Sequence, residues 1–133
     1  MDISILLKSQ KLQNEIRALQ SERDTLRACA ENDTSVISLA PGHGQGVSRT
    51  MENILIRVAD LDALIKEKQK RLDEMKEIIL NAVARLDDPA ERTVITLHYV
   101  MNKSWSETAK KMGYQMRYCK KLASAARQIL TAI

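Results

Sequence analysis

Apolar residues recur every seven positions along the first thirty residues of the chain. The row consists of Ile5, Leu12, Leu19 and Leu26. Most of the positions between them are polar, which is the pattern of an amphipathic helix with a narrow apolar stripe. The pattern therefore predicts a helix over residues 2–31, about 45 Å long at a rise of 1.5 Å per residue.

A longer and more regular seam begins after residue 50. Its apolar residues follow alternating steps of three and four, and they are Met51, Ile54, Val58, Leu61, Ile65, Leu72, Met75, Ile79 and Leu86. This is the a and d spacing of a coiled coil, with Lys68 and Ala82 at the two remaining seam positions. The pattern predicts a second helix over residues 50–86, about 55 Å long. Such a helix needs a partner to cover its stripe, either the first helix folded back antiparallel or a second copy of the chain.

Residues 32–49 break both of these periods. Pro41, Gly42, Gly44 and Gly46 disfavour a helix there, so the sequence predicts a Gly-rich loop over 32–49. We therefore expect residues 1–88 to form a long antiparallel, coiled-coil-like hairpin. Because the first stripe is too weak to cover the second, we also expect a homo-oligomer that forms through this hairpin.

Helix start and stop signals divide the remaining residues, 89–133, into three short helices. Asp88 before Pro89 is an N-cap signal, and Ser104 followed by Glu107 is a capping box. Gly113 is a stop signal, because glycine adopts the left-handed conformation without steric cost. The signals predict helices from Ala90 to about Met101, from Ser104 to Gly113 and from Gln115 toward Leu130. The expected fold class is all-α, with the hairpin followed by a small helix-turn-helix domain.

Four residues of this domain have the spacing of a helix-turn-helix, namely Ala109, Gly113, Cys119 and Leu122. In that motif the small residue lets the helices approach, glycine makes the turn, and two apolar side chains hold the second helix across the first. If these residues are buried together, other side chains must point outward near the start of the last helix. The outward residues would be Met116, Arg117, Lys120, Lys121 and Ser124.

The charge distribution favours a nucleic-acid partner for this surface. Residues 90–133 contain eight basic and two acidic side chains, whereas residues 50–89 contain seven and nine. Lysines that only solvate a helix surface are the alternative, but such surfaces usually mix both charge signs. The sequence therefore predicts binding to double-stranded DNA. Arg117, Lys120 and Lys121 would face base edges, and the expected phosphate contacts are Lys103, Lys110, Lys111 and Arg127.

The segment LDDPAERTVITLHYVMNKSWSETAKKMGYQMRYCKKLASAARQIL resembles region 4 of sigma-70-type factors. The layout of the whole chain is similar to that of phage and prophage transcriptional regulators of the ArpU/RinA type. The resemblance implies action on promoter DNA, together with an RNA polymerase supplied by the host. It implies that Met116, Arg117, Lys120 and Lys121 contact the DNA bases. Gln115 would be the N-cap of the helix that carries these base readers. Sigma factors usually carry Arg where Met116 stands, so their target sequence is not carried over.

Two rival functions remain open. A phage small-terminase-like DNA-packaging subunit also joins a helix-turn-helix to an oligomerising hairpin, and a polymerase-docking module would need no contact with DNA.

Enzymatic activity is not expected, because no acid, base or nucleophile has a partner at a suitable spacing. Cys29 and Cys119 lack the neighbours that a metal site requires, and no cofactor is expected. No segment has the length and apolarity of a signal peptide or membrane span, so a cytoplasmic location is expected.

Overall fold

Helices make up nearly all of the chain. The computed structural model describes the backbone of residues 1–39 and 44–133, and the side chains of residues 1–31 and 49–133. The elements are α1 (Ser4–Leu39), α2 (Gly44–Val83), α3 (Pro89–Ile95), a π-helical turn (Thr96–Val100), α4 (Trp105–Met112) and α5 (Met116–Ala132). The described residues contain no strand, so the predicted all-α fold class is confirmed.

Much of the predicted loop over 32–49 is helical in the structure. Helical backbone continues through residue 39 and begins again at residue 44, while residues 40–43 lie outside the described part of the chain. Helix elongation explains the difference, because each residue added to an existing helix gains a hydrogen bond. A glycine in a helix costs only about 1 kcal/mol relative to alanine, so Gly44 and Gly46 do not exclude a helix.

The boundary between the compact units also differs from the one predicted at residues 88 and 89. One unit, here called the head unit, consists of Met1–Gln13 together with Arg71–Ile133, and the other, the hairpin unit, is Asn14–Lys70. Three short helices offer too little apolar surface to form a core alone. The core of the head unit therefore includes Leu6 of α1 and Ile79 and Val83 of α2.

Ion pairs establish the antiparallel arrangement within the hairpin unit. The Glu15 carboxylate lies 2.8 Å from the Lys68 ammonium, and the Arg23 guanidinium lies 3.1 Å from the Asp62 carboxylate. Residue numbers rise along α1 as those of their partners fall along α2, as an antiparallel pair requires. The predicted seam is buried here at Val58, Leu61 and Ile65. Lys68, the charged seam residue, is accommodated by its pairing with Glu15.

A π-helical turn in the head unit changes which residues of the first short helix face the core. A regular α-helix from Ala90 to Met101, as predicted, would place Val94, Leu97 and Met101 on one face. Val94 and Leu97 are buried, whereas Met101 is exposed and Tyr99 and Val100 are buried instead. A π turn takes more residues per turn than an α turn, so the residues that follow it are rotated relative to a 3.6-residue period.

The same turn is held by two glutamines of α1. Gln10 Nε2 donates a hydrogen bond of 3.0 Å to the carbonyl of His98, and Gln13 Nε2 donates one of 3.1 Å to the carbonyl of Tyr99. Carbonyls in the last turn of a helix lack partners within that helix. These side chains therefore supply the missing donors and tie the start of α1 to the head unit.

Candidate nucleic-acid interface

The turn between α4 and α5 is built from local hydrogen bonds. At the start of α4, Ser104 Oγ accepts from the backbone N–H of Glu107 at 3.0 Å, and the Glu107 carboxylate accepts from the N–H of Ser104 at 3.4 Å. This reciprocal pair is the predicted capping box. At the end of α4, Gly113 has φ = 75° and donates its N–H to the carbonyl of Ala109 at 2.9 Å. Both ends of the helix are thus fixed by residues that the sequence singled out.

Core packing determines how α5 is rotated about its own axis. Ala109 of α4 and Cys119 and Leu122 of α5 are buried in one cluster, together with Ala123, Ala126 and Leu130. At 3.6 residues per turn, Arg117 and Lys121 each lie about 160° around the helix from Cys119. Both side chains therefore point almost directly away from the core. Gly113, the fourth residue of the predicted motif, contributes the turn and is itself exposed.

The predicted base readers are accessible on this outward face. Arg117, Lys120 and Lys121 are exposed, and none of them has an acidic side chain within 4 Å among the described residues. Met116 and Gln115 are also exposed, and Gln115 occupies the N-cap position without a side-chain hydrogen bond to the helix. Ser124 is half-buried. Unpaired cations on a helix that the core holds in a fixed rotation create a positive surface along the first turns of α5.

The four predicted phosphate contacts have different environments. Lys110 and Lys111, in the last turn of α4, are exposed, and Lys103 is half-buried in the segment before α4. Arg127 is also half-buried, and its Nη1 donates a hydrogen bond to the hydroxyl of Tyr99. One of its five donors is therefore already used within the head unit.

Two tyrosines lie beside the positive surface, and neither was predicted as a base reader. Tyr114 lies in the turn and Tyr118 lies in the first turn of α5, with ring centroids 5.0 Å apart in an edge-to-face arrangement. Both side chains are nearly half exposed. Tyr118 lies about 100° around α5 from Cys119, on the flank opposite Lys120. The spacing of four residues between the tyrosines is the sequence signal that could have identified the pair.

His98 is enclosed by structural contacts. Its ring stacks on Trp105 with centroids 3.6 Å apart, and its Nδ1 lies 2.7 Å from the carbonyl oxygen of Lys103. A carbonyl can only accept, so Nδ1 carries the proton. Burial is the main cause that lowers the pKa of His98, and the positive charge of Arg127 lowers it further, against the opposing effect of the hydrogen bond. These contacts give His98 a packing role in the head unit.

Cys119 is fully buried, and burial raises the pKa of its thiol. A thiol in that environment is a poor nucleophile, as expected for a residue that packs in the core. Within the described ranges, no group of three or more His, Cys, Asp or Glu side chains could hold a metal ion. The same ranges contain no helix with both the length and the apolarity to span a membrane.

Comparisons of the chain with known protein families, with curated proteins and with solved structures found no match.

Proposed function

We propose that the chain is a phage-type, DNA-binding transcriptional regulator with a sigma region-4-like head, acting on promoter DNA together with a host RNA polymerase. One observation carries the proposal: Arg117, Lys120 and Lys121 lie unpaired on the outward side of a helix whose rotation is fixed by its buried apolar face. The cationic side chains can therefore approach a polyanion without breaking any contact in the protein.

The proposed binding mode places the start of α5 in the major groove. Arg117 and Lys121 point away from the core and would reach base edges, where arginine and lysine prefer guanine O6 and N7. Lys110 and Lys111 at the end of α4 would contact phosphates beside the groove, as the first helix of a helix-turn-helix does. Lys103 and the remaining donors of Arg127 would add further phosphate contacts. Met116 would offer an apolar contact to a base, such as the methyl group of thymine.

The role we propose is not enzymatic. The two groups that most resemble catalytic residues, His98 and Cys119, are both engaged in packing. The proposed partners are duplex DNA and the polymerase, and a second copy of the chain is proposed as a partner of the hairpin.

The test is binding of the purified chain to duplex DNA without polymerase. Fragments selected from random duplexes would supply the probe, and fluorescence anisotropy at several salt concentrations would give Kd. We expect Lys120→Ala with Lys121→Ala to weaken binding to the selected site by about 2 to 6 kcal/mol, since each base contact contributes about 1 to 3 kcal/mol. Lys110→Ala with Lys111→Ala should weaken binding to all sequences and reduce the salt slope by about 2.

The matched control is Lys8→Ala with Lys11→Ala, which removes the same charge from exposed positions of α1. Circular dichroism would verify that each variant is folded. If the control pair weakened binding as much as the α5 pair, the effect would reflect net charge and the proposed reading face would be wrong. If the wild-type chain bound no duplex unless polymerase was present, the polymerase-docking alternative would be favoured.

A further inference from the structure

A second apolar strip runs along α2, on the side opposite the hairpin seam. It consists of Leu55, Ile56, Ala59 and Ala63. Leu55 is 51% exposed and Ile56 is 54% exposed, although isoleucine and leucine are among the residues most often buried. At 3.6 residues per turn, all four lie within about 60° of Ala59, whereas the buried Leu61 lies about 160° away. The hairpin therefore covers one face of α2 and leaves this strip open.

Oppositely charged residues mark the two ends of the strip. Glu52 precedes it and Lys66 follows it, and both are exposed on the same face as Ala59. Neither has a charged partner among the described residues. By contrast, Arg57 of the same helix pairs with Glu22 at 3.0 Å, and Lys68 pairs with Glu15. The charges at the ends of the strip are thus available to an external partner.

We propose that the strip is a dimer interface, in which α2 of a second copy packs antiparallel on it around a two-fold axis at Ala59. Glu52 and Lys66 are each seven residues from Ala59, about 10.5 Å along the helix. The two-fold axis therefore places Glu52 of each copy level with Lys66 of the other, giving two equivalent ion pairs. The proposal concerns the hairpin unit and does not depend on DNA binding.

Side-chain sizes also fit this arrangement. Ile56 lies about 4.5 Å from the axis along α2 and Ala63 about 6 Å on the other side, so Ile56 of one copy lies beside Ala63 of the other. A bulky residue against a small one lets the helices approach closely, and Ala59 at the centre adds no bulk. A parallel pair would instead place Glu52 against Glu52 and Lys66 against Lys66. Charge complementarity therefore selects the antiparallel dimer.

The symmetry of the interface limits the size of the assembly. Each copy would use the same surface, so the contact is isologous and closes at two subunits. A packaging ring requires two different surfaces on each subunit, which this interface does not supply. If the head binds DNA as proposed above, the dimer would bind a target with two-fold symmetry.

Charge exchange tests the proposed pairs. We expect sedimentation equilibrium at low salt, without DNA, to show a wild-type dimer. Lys66→Glu should raise the dimer Kd about tenfold, because both ion pairs become repulsive, and Glu52→Lys should do the same. The double variant Glu52→Lys with Lys66→Glu should restore the wild-type Kd, since the pairs are complementary again. Lys11→Glu is the control, an equal charge reversal at an exposed position of α1 that should leave Kd unchanged.

Disulfide trapping tests the orientation in a Cys29→Ser background, which removes the exposed native thiol. Variants Ile56→Cys and Ala63→Cys would be mixed and oxidised. We expect the mixed disulfide to dominate, because like positions are separated by about 9 Å or more along an antiparallel pair and cannot be bridged. Predominant Ile56→Cys homodimers, a wild-type monomer or a closed ring of many subunits would each overturn the proposal. Loss of DNA binding alone would leave these results unchanged, so the two proposals fail separately.

Discussion

Replacing Gly113 by alanine isolates the cost of the turn that orients α5. Gly113 adopts φ = 75°, and a Cβ built at this position meets no atom within 4 Å. The substitution therefore adds no clash, and its effect comes from the backbone alone. An L-residue other than glycine pays about 1 to 2 kcal/mol for the left-handed conformation. Alanine also restricts the unfolded chain, which offsets about 0.4 to 1 kcal/mol, so the expected net loss is about 1 kcal/mol.

Trp105 provides a local measurement of this loss. It is the one tryptophan of the chain, and it stacks on His98 within the head unit, so its fluorescence reports unfolding of that unit. Urea titration should show a lower free energy of unfolding for Gly113→Ala. Gly113→Asn should lower the free energy of unfolding by less than Gly113→Ala does, because asparagine tolerates the left-handed region better than alanine. If Gly113→Ala were as stable as the wild type, or if asparagine were the worse substitution, the left-handed turn would not be the state that the protein occupies.

Two further predictions concern polar groups inside the head unit. Thr108 is fully buried and its hydroxyl has no hydrogen-bond partner among the described residues, so Thr108→Val should raise the free energy of unfolding by about 1 kcal/mol. Thr93→Val is the control and should not stabilise, because the Thr93 hydroxyl donates to the carbonyl of Pro89 at 2.8 Å. For His98, the folded-state pKa is lowered from its ordinary value of 6.5. The unfolded chain therefore binds the proton first as the pH falls, and stability is lost below about pH 6.5. Between pH 7 and pH 5, urea titrations should show a smaller loss of the free energy of unfolding for His98→Asn than for the wild type. Equal losses would mean that His98 does not cause the pH dependence.

Local signals accounted for most of the helix boundaries in the head unit. Asp88 accepts the N–H of Ala90 at 2.9 Å, as its N-cap position predicted, and the capping box of α4 forms between residues only three apart. The bonds that define these boundaries join near neighbours, so the sequence around each boundary is sufficient to predict it. The burial of the seam at Val58 and Leu61 was predictable for a similar reason, since regular spacing along one helix needs no knowledge of the partner.

Contacts between distant residues could not be predicted in the same way. The head unit includes residues 1–13 because Gln10 and Gln13 bond carbonyls more than eighty positions away. The π turn that leaves those carbonyls available has no strong sequence signal, and it changed the burial of Tyr99 and Met101. Arg127 was assigned to phosphate contact from its basic character, but its bond to the Tyr99 hydroxyl depends on how α5 crosses the π turn.

The outward face of α5 combines a part that local sequence signals predict and a part that depends on contacts between distant residues. Its direction was predictable, because Cys119 and Leu122 are apolar and fix the rotation of the helix about its axis. Residues near the middle of the face, such as Arg117 and Lys121, are therefore exposed under any small change in packing. Residues on the flanks, such as Tyr118, change from core to surface with a rotation of a few tens of degrees. The exposure of the central cations therefore follows from the fold alone, whereas the exposure of the flanking residues depends on the exact crossing of α4 and α5.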